Sequence, residues 1–228
     1  MKPNLILLHG ALGSENQFSQ LKNLLSESFS VFAFNFEGHG GRASTSDYSM
    51  ELFSQNVQGF MTENGIKSSH FFGYSMGGYV ALVLARNHPE SVQKIMTLGT
   101  KFDWTPESAA KEVKMLNPEK IEEKVPKFAD MLQKRHKPLD WKEVLQNTAQ
   151  MMLDLGNGKA LKLEDFDCIS HEVLIGLGSK DNMVTLEESQ LITDQLSNGK
   201  LKTFEGFPHP IEQVDFQKLS DQIERFFL

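Results

Sequence analysis

Cysteine, basic charge and long apolar runs are all scarce in this chain of 228 residues. The single cysteine, Cys168, excludes a disulfide bond within the chain and favours a reducing compartment. Lysine and arginine number 23 against 30 aspartates and glutamates, so there is no basic surplus to neutralise the phosphates of a nucleic acid. No apolar run approaches the length of a membrane span. We therefore expect a cytoplasmic protein that binds neither nucleic acid nor a membrane.

What the chain does contain is an alternation of short apolar runs with helical patterns. Six runs are predicted strands: residues 4–8, 30–36, 70–72, 94–98, 172–177 and 200–204. Because these strands are apolar on both faces and alternate with helices, the pattern is typical of an α/β protein. We expect a three-layer sandwich, in which a mainly parallel sheet of about six strands carries helices on both faces.

Residues 106–155 break this alternation, because their pattern is helical throughout. The segment lies between the strands predicted at 94–98 and 172–177, and it is far longer than a crossover in the sheet requires. We interpret residues 105–158 as a helical cap over the C-terminal edge of the sheet, with residues 1–104 and 159–228 forming the core of a single domain. The alternative is that these helices only cover the sheet.

A serine between glycines occupies a turn from a predicted strand to a predicted helix. The residues are Gly73-Tyr74-Ser75-Met76-Gly77-Gly78. This G-x-S-x-G pattern, with a strand before it and a helix after it, is typical of a nucleophile elbow. Such a turn exposes the serine hydroxyl at a helix N-terminus, where the helix dipole favours developing negative charge. Ser75 is therefore the candidate nucleophile.

A nucleophilic serine needs a base, an acid that orients the base, and donors for an oxyanion. Open α/β sheets build such sites on the loops that follow their strands. Ala11 lies in the glycine-rich turn after the first strand, so its backbone N–H and that of Met76 are the candidate oxyanion donors. Asp181 follows the strand at 172–177 and is the candidate acid, although a turn or N-cap role is the alternative.

The base is the histidine that follows the last predicted strand. His209 lies between two prolines, and we expect Pro210 to begin a helix over residues 211–227 with His209 at its cap. The six other histidines lie in glycine turns, at the wrong ends of strands, at the end of a helix before Pro89, or in the helical segment. His209 completes the chain order serine, aspartate, histidine that is known for this kind of site.

These pieces resemble the α/β-hydrolase superfamily, and the resemblance covers nearly the whole chain. It is similar to the small capped esterases and the carbon–carbon bond hydrolases and lyases of that superfamily. The resemblance implies that Ser75, Asp181 and His209 form the triad and that Ala11 and Met76 form the oxyanion hole. The chain begins at the superfamily's third strand, so residues 30–36 are expected at the edge of the sheet, paired with another chain or covered by this one.

The function expected from this resemblance is hydrolysis of a small ester or related carbonyl compound through an acyl-enzyme. The alternatives are a carbon–carbon bond hydrolase or lyase on the same scaffold, and a ligand-sensing homologue with little turnover. No metal and no other cofactor is expected, the partner is a small-molecule substrate, and the protein is a monomer or weak homodimer. Four apolar residues are the expected lining of the substrate pocket: Leu12, Trp104, Trp141 and Met183.

Overall fold

The structure is a computed structural model that describes residues 2–228. Its sheet has six strands, which are β1 (Asn4–Leu8), β2 (Ser30–Ala33), β3 (Ser69–Tyr74), β4 (Val92–Leu98), β5 (Glu172–Lys180) and β6 (Gly199–Pro208). The strands lie in the order β2-β1-β3-β4-β5-β6, and every neighbouring pair is parallel. The predicted α/β fold, with a parallel six-stranded sheet, is confirmed.

Helices surround this sheet and connect its strands. In chain order they are α1 (Ser19–Leu25), α2 (Met50–Glu63), α3 (Met76–Asn87), α4 (Pro106–Val113), α5 (Pro118–Lys124), α6 (Pro126–His136), α7 (Trp141–Asp154), α8 (Leu163–Asp167), α9 (Leu186–Gln195) and α10 (Phe216–Phe227). A π turn (Leu155–Lys159) ends α7, and three short 3-10 turns complete the helical structure of residues 2–228.

Two apolar clusters cover the two faces of the sheet, and β1 shows why. Successive strand side chains point to opposite faces. Leu5 and Leu7 therefore pack with Phe72 of β3 against α1 and α10. Ile6 and Leu8 pack on the other face, against α2, α3 and the helices that follow β4. A strand buried on both faces must be apolar at its buried positions, as β1 is from Leu5 to Leu8.

The helical insertion, residues 106–159, comprises α4 to α7 and the π turn, between β4 and β5. Proline begins three of its helices because a residue at that position has no intrahelical N–H partner to lose. Pro126 thereby separates α5 from α6, and Val125 lies between them. The buried residues of α7 join the apolar cluster that also contains α2 and α3. The insertion is therefore continuous with the core of the protein.

The second predicted strand is shorter than expected, although it does lie at the sheet edge. β2 ends at Ala33 instead of continuing to residue 36. Phe34 and Phe36 beyond it are buried, and the Phe34 ring stacks on Phe60 of α2 with 4.5 Å between ring centroids. A short edge strand offers few unpaired backbone groups to another chain. Whether this edge pairs with a second chain stays a prediction.

The helix predicted directly after His209 begins later than expected. β6 continues to Pro208, a 3-10 turn follows at Ile211–Gln213, and α10 begins only at Phe216. Asp215 is the N-cap, because its side chain accepts hydrogen bonds from the backbone N–H groups of Gln217 and Lys218. His209 therefore does not cap the long helix, and that prediction was wrong.

Among residues 2–228, every helix is too short or too polar to cross a lipid bilayer.

Candidate active site

Ser75 occupies a strained turn between β3 and α3. Its φ is 51° and its ψ is −119°, a conformation that residues with a Cβ rarely adopt. Two hydrogen bonds hold the residue: its N–H donates to the Leu98 carbonyl over 2.8 Å, and the Thr100 hydroxyl donates to its carbonyl over 2.9 Å. These bonds to the surrounding structure thus hold Ser75 in a backbone conformation that is unfavourable for an isolated serine.

The glycines beside Ser75 are required by close approach of the backbone. A Cβ on Gly73 would lie 2.4 Å from the Gly78 Cα, and one on Gly77 would lie 2.2 Å from the Leu8 carbonyl oxygen. Both distances are far below van der Waals contact, so only glycine fits at either position. The G-x-S-x-G spacing therefore has a steric cause in this turn.

Asp181 and His209 meet at the carboxyl ends of β5 and β6. The His209 Nδ1 lies 2.7 Å from the Asp181 Oδ2. The other carboxylate oxygen, Oδ1, accepts from the backbone N–H groups of Met183 and Val184 over 2.8 and 3.1 Å. Burial by itself would raise the pKa of Asp181, but these hydrogen bonds outweigh it and hold the pKa below its ordinary value. The carboxylate is thus charged and fixed in orientation.

One cavity brings four of the five predicted site residues together. Ser75, His209, Ala11 and Met76 all line a space of about 50 Å³. Met76 is the first residue of α3, so its N–H has no partner within the helix and is free to donate into the cavity. Within residues 2–228, Ser75 Oγ does not donate a hydrogen bond to His209, although both residues line the cavity. Such a bond is often long in an unliganded site and shortens when substrate binds.

The predicted pocket residues divide into three groups. Trp104 and Met183 line the cavity beside Ser75. Leu12 instead lines a neighbouring groove of about 1960 Å³, which lies between the insertion and the segments around β5 and α9. Trp141 was placed wrongly: its side chain is buried in the apolar cluster and lines neither space. The helical pattern of residues 106–155 does not show what Trp141 packs against.

Gly99 is a site residue that the sequence reading missed. It follows β4 with a φ of 63°, and a Cβ there would lie 2.9 Å from the Asp181 Oδ2 and 3.2 Å from the His209 Nδ1. Because Gly99 has no Cβ, there is room beside it for the hydrogen bond between Asp181 and His209. Its place directly after a central strand could have suggested this role, because site loops follow the strands of such sheets.

Replacing Gly99 with alanine is expected to separate Asp181 from His209 and lower the turnover number by about 10²-fold or more, since small misplacement of reacting groups is costly. The positive φ should add about 1 kcal/mol of lost stability. Gly65→Ala is the matched control, because Gly65 has a φ of 66° with no atom within 4 Å of the added Cβ. Equal losses of activity in the two variants would contradict this role for Gly99.

Three histidines form a buried cluster next to the turn that carries Ala11. The His9 ring centroid lies 5.2 Å from that of His39, which lies 5.8 Å from that of His136. The backbone N–H of Gly40 donates to His136 Nδ1, so Nε2 carries the proton and donates to the Leu12 carbonyl over 3.1 Å. This bond ties α6 of the insertion to the turn after β1.

Burial is the main cause of low pKa values in this cluster. It lowers the pKa of His9 to about 3 and that of His136 to about 4, and it holds the pKa of His39 well below its ordinary value. The positive charge of Arg135 lowers the pKa values of His9 and His136 further. All three histidines are therefore neutral when the protein is folded near neutral pH.

The neutral cluster predicts that the protein loses stability as the pH falls below 6.5. The unfolded chain takes up protons on these histidines near their ordinary pKa of 6.5. In the folded chain the pKa is about 3 for His9 and about 4 for His136, and burial holds that of His39 well below 6.5. Between pH 6.5 and 5.5 this costs about 1 kcal/mol for each histidine, or about 3 kcal/mol in all. Urea unfolding across this range measures the loss.

His136→Gln should remove about a third of that pH dependence, because glutamine keeps one donor and one acceptor but does not titrate. A stability that stays constant between pH 6.5 and 5.5, or an unchanged slope in this variant, would contradict the neutral assignment.

Comparisons with known proteins identify the family of this chain. Residues 3–118 match the model of the alpha/beta hydrolase fold family. The chain is 30% identical over 98 residues to the sn-1-specific diacylglycerol lipase ABHD11 of Mus musculus, a match that covers 42% of this chain and 32% of that lipase. It is 24% identical to the putative carbamate hydrolase RutD of Caulobacter segnis, over 97% of this chain and 90% of that protein.

The structural likeness extends over the whole chain. The crystal structure of NosK from Streptomyces actuosus superposes with a TM-score of 0.85 at 18% identity, covering 100% of this chain and 98% of that one. The chain spans less than half the length of the first curated relatives that it matches. Since the family model covers half of the sequence and the topology agrees with it, the chain belongs to the α/β-hydrolase fold family.

Proposed function

We propose that the protein is a serine hydrolase that cleaves a small ester or related carbonyl compound. The observation that carries this proposal is the set of residues that line one cavity. A serine held in a strained turn at a helix N-terminus shares it with a histidine whose other ring nitrogen lies 2.7 Å from a fixed carboxylate. This is the arrangement that converts a serine hydroxyl into a nucleophile.

In the first half of the reaction, Ser75 Oγ attacks the carbonyl carbon of the substrate. His209 Nε2 takes the hydroxyl proton, and Asp181 holds the Nδ1 proton and stabilises the imidazolium. Collapse of the tetrahedral intermediate breaks the bond to the leaving alcohol, which takes the proton from His209. In the second half, water attacks the acyl-enzyme by the same route and releases the acid with free Ser75.

The backbone N–H groups of Ala11 and Met76 serve as the oxyanion donors in this proposal. Both residues line the cavity, and the N-terminus of α3 adds the favourable end of a helix dipole. The turn that carries Ala11 is anchored at the next carbonyl, that of Leu12, by His136 Nε2 and by Arg135 Nη1 over 2.8 Å. Helix α6 thereby supports the position of one oxyanion donor.

The helical insertion acts as a cap in this proposal. Met151 and Met152 of α7 line the cavity with Met50 of α2, and Trp104 just before α4 contributes a further wall. The free space of about 50 Å³ is small for a substrate. Methionine side chains are unbranched and flexible, so this wall can rearrange around an acyl group.

The proposed function is tested by labelling and by turnover of esters. A fluorophosphonate probe should label Ser75 alone, as mass spectrometry of the labelled peptides would show. p-Nitrophenyl acetate should give a burst of one p-nitrophenolate for each active site, because an acyl-enzyme accumulates. Labelling at another serine, or no hydrolysis of any ester in a panel of chain lengths, would overturn the proposal.

Met152→Ala is expected to shift the chain-length preference towards longer acyl groups, by about tenfold in kcat/KM between hexanoate and acetate esters. The physical reason is the volume that the shorter side chain frees in the wall of the cavity. Met115→Ala is the control, since Met115 is 75% exposed and does not line this cavity. An unchanged preference in Met152→Ala would show that α7 does not contact the acyl group.

A further inference from the structure

The cavity beside Ser75 contains an ion pair that the proposed hydrolysis does not use. Lys101, which follows β4, and Glu112, on α4, both line the cavity. Their side chains are each only 16% exposed, and the Lys101 Nζ lies 3.8 Å from the Glu112 Oε1. This separation is within an ion pair but beyond hydrogen-bond length. Each charged group therefore keeps hydrogen-bonding capacity for a third partner.

Trp104 adds an unused donor to the same wall. Its indole Nε1 is buried and has no hydrogen-bond partner among residues 2–228. The Lys101 ammonium lies 5.8 Å from the centroid of its ring, so the two groups belong to one cluster. Buried N–H groups in folded proteins nearly always have a partner. A partner from outside the chain would satisfy this one.

The chemistry of the three side chains selects the group that would fit. Lysine and tryptophan can only donate hydrogen bonds, and an ionised glutamate can only accept them. A carboxylate in the ligand would satisfy the donors but would face the like charge of Glu112. An amine would satisfy Glu112 but would face the charge of Lys101. A neutral amide-type group, with one carbonyl oxygen and an N–H, matches both without adding charge to an already neutral pair.

We propose that the substrate carries, on its acyl side, a neutral amide-type group such as a carboxamide or ureido group, bound by Lys101, Glu112 and Trp104. This inference rests on the proposed serine hydrolase function. The carbonyl oxygen accepts from the Lys101 ammonium and the Trp104 indole, and the N–H donates to Glu112. The methionines that line the cavity contact the apolar part of the acyl chain. The three polar residues then determine specificity and take no part in bond cleavage.

Four ethyl esters of similar acyl length test this proposal. They are ethyl adipamate, its hydrocarbon isostere ethyl 6-methylheptanoate, monoethyl adipate and ethyl 6-aminohexanoate. Their hydrolysis is measured by titration of the acid released. We expect kcat/KM for the adipamate to exceed that of the isostere by about tenfold or more, because an analogue without the amide leaves buried polar groups unpaired. Shorter and longer carboxamide esters with matched isosteres locate the best spacing.

Variants identify the residues that produce this preference. The ratio of kcat/KM between adipamate and isostere is compared within each protein, so that losses of folded enzyme cancel. Trp104→Phe and the double variant Lys101→Met with Glu112→Leu should each reduce the ratio to within about threefold of one. The double variant avoids leaving one buried charge unpaired. Lys111→Met is the control and should keep the ratio, since Lys111 is exposed on the same helix as Glu112.

The outcomes separate this inference from the proposed function. Turnover of the hydrocarbon ester that depends on Ser75, without preference for the adipamate at any chain length, would overturn the amide site and leave the hydrolase standing. Preference for the adipate monoester or the amino ester would overturn it in favour of an anion or a cation site. An unchanged kcat/KM ratio between adipamate and isostere in both variants would show that these three residues do not determine the preference for the acyl group.

Discussion

Ser75→Ala should lower kcat by about 10⁴-fold to 10⁶-fold and abolish labelling by fluorophosphonates, while the protein keeps its fold. A large loss is expected because the proposed mechanism forms the acyl-enzyme on the Ser75 hydroxyl. The fold is expected to persist because the backbone bonds to Leu98 and Thr100 do not involve the Ser75 hydroxyl. The rate of any residual hydrolysis would measure direct attack by water on a substrate bound at the proposed oxyanion donors.

Ser220→Ala provides the comparison for this experiment. Ser220 is also buried, but it lies on α10, on the opposite face of the sheet. The Ser220→Ala variant should retain fluorophosphonate labelling and turnover. Equal midpoints of urea unfolding for the two variants would confirm that neither substitution changes folding. A Ser75→Ala protein that still reacts with the probe would show that the nucleophile is elsewhere.

Asp181→Asn should be nearly as damaging, with a loss in kcat of about 10⁴-fold. In this structure the cause can be traced atom by atom. The Oδ1 position accepts two backbone N–H groups, from Met183 and Val184, so the amide oxygen of an asparagine must lie there. Its NH₂ group then faces His209 Nδ1 and donates to it. The imidazole proton is forced onto Nε2, where it blocks acceptance of the serine proton.

The tautomer of His209 distinguishes this explanation from a general loss of structure. Nitrogen-15 NMR of the ring should show a proton on Nδ1 in the wild type and on Nε2 in Asp181→Asn. Asp165→Asn is the control, because Asp165 precedes β5 and pairs with Arg86 at 2.7 Å, away from the cavity. If Asp181→Asn kept more than about a tenth of the wild-type kcat, the assignment of the acid would be wrong.

Several features could be predicted from the sequence because their causes are local. The elbow depends on glycines within three residues of Ser75, and the strands are apolar because alternate side chains enter opposite clusters. Chain order and the position after a strand were enough to select Asp181 and His209 from their competitors. The structure brings these two side chains to 2.7 Å, since adjacent parallel strands end at the same edge of the sheet.

Other features depend on which surfaces meet, and local patterns do not contain that information. The sequence pattern placed Trp141 in a helical segment, but only packing decided that its side chain faces the core and not the cavity. Proline and helix periodicity predicted a helix after His209, but Asp215 competes for the cap and delays it.

The sequence by itself determined the fold class, the sharp strand-to-helix turn at Ser75 and the order of the three side chains proposed for the triad, because each depends on neighbours in the chain or on strand periodicity. Only the tertiary structure decided what surrounds them. Gly99 accommodates the aspartate–histidine pair, and α6 holds the turn after β1 through His136. Lys101 and Glu112 come together only through tertiary packing, which brings α4 close to the segment that follows β4.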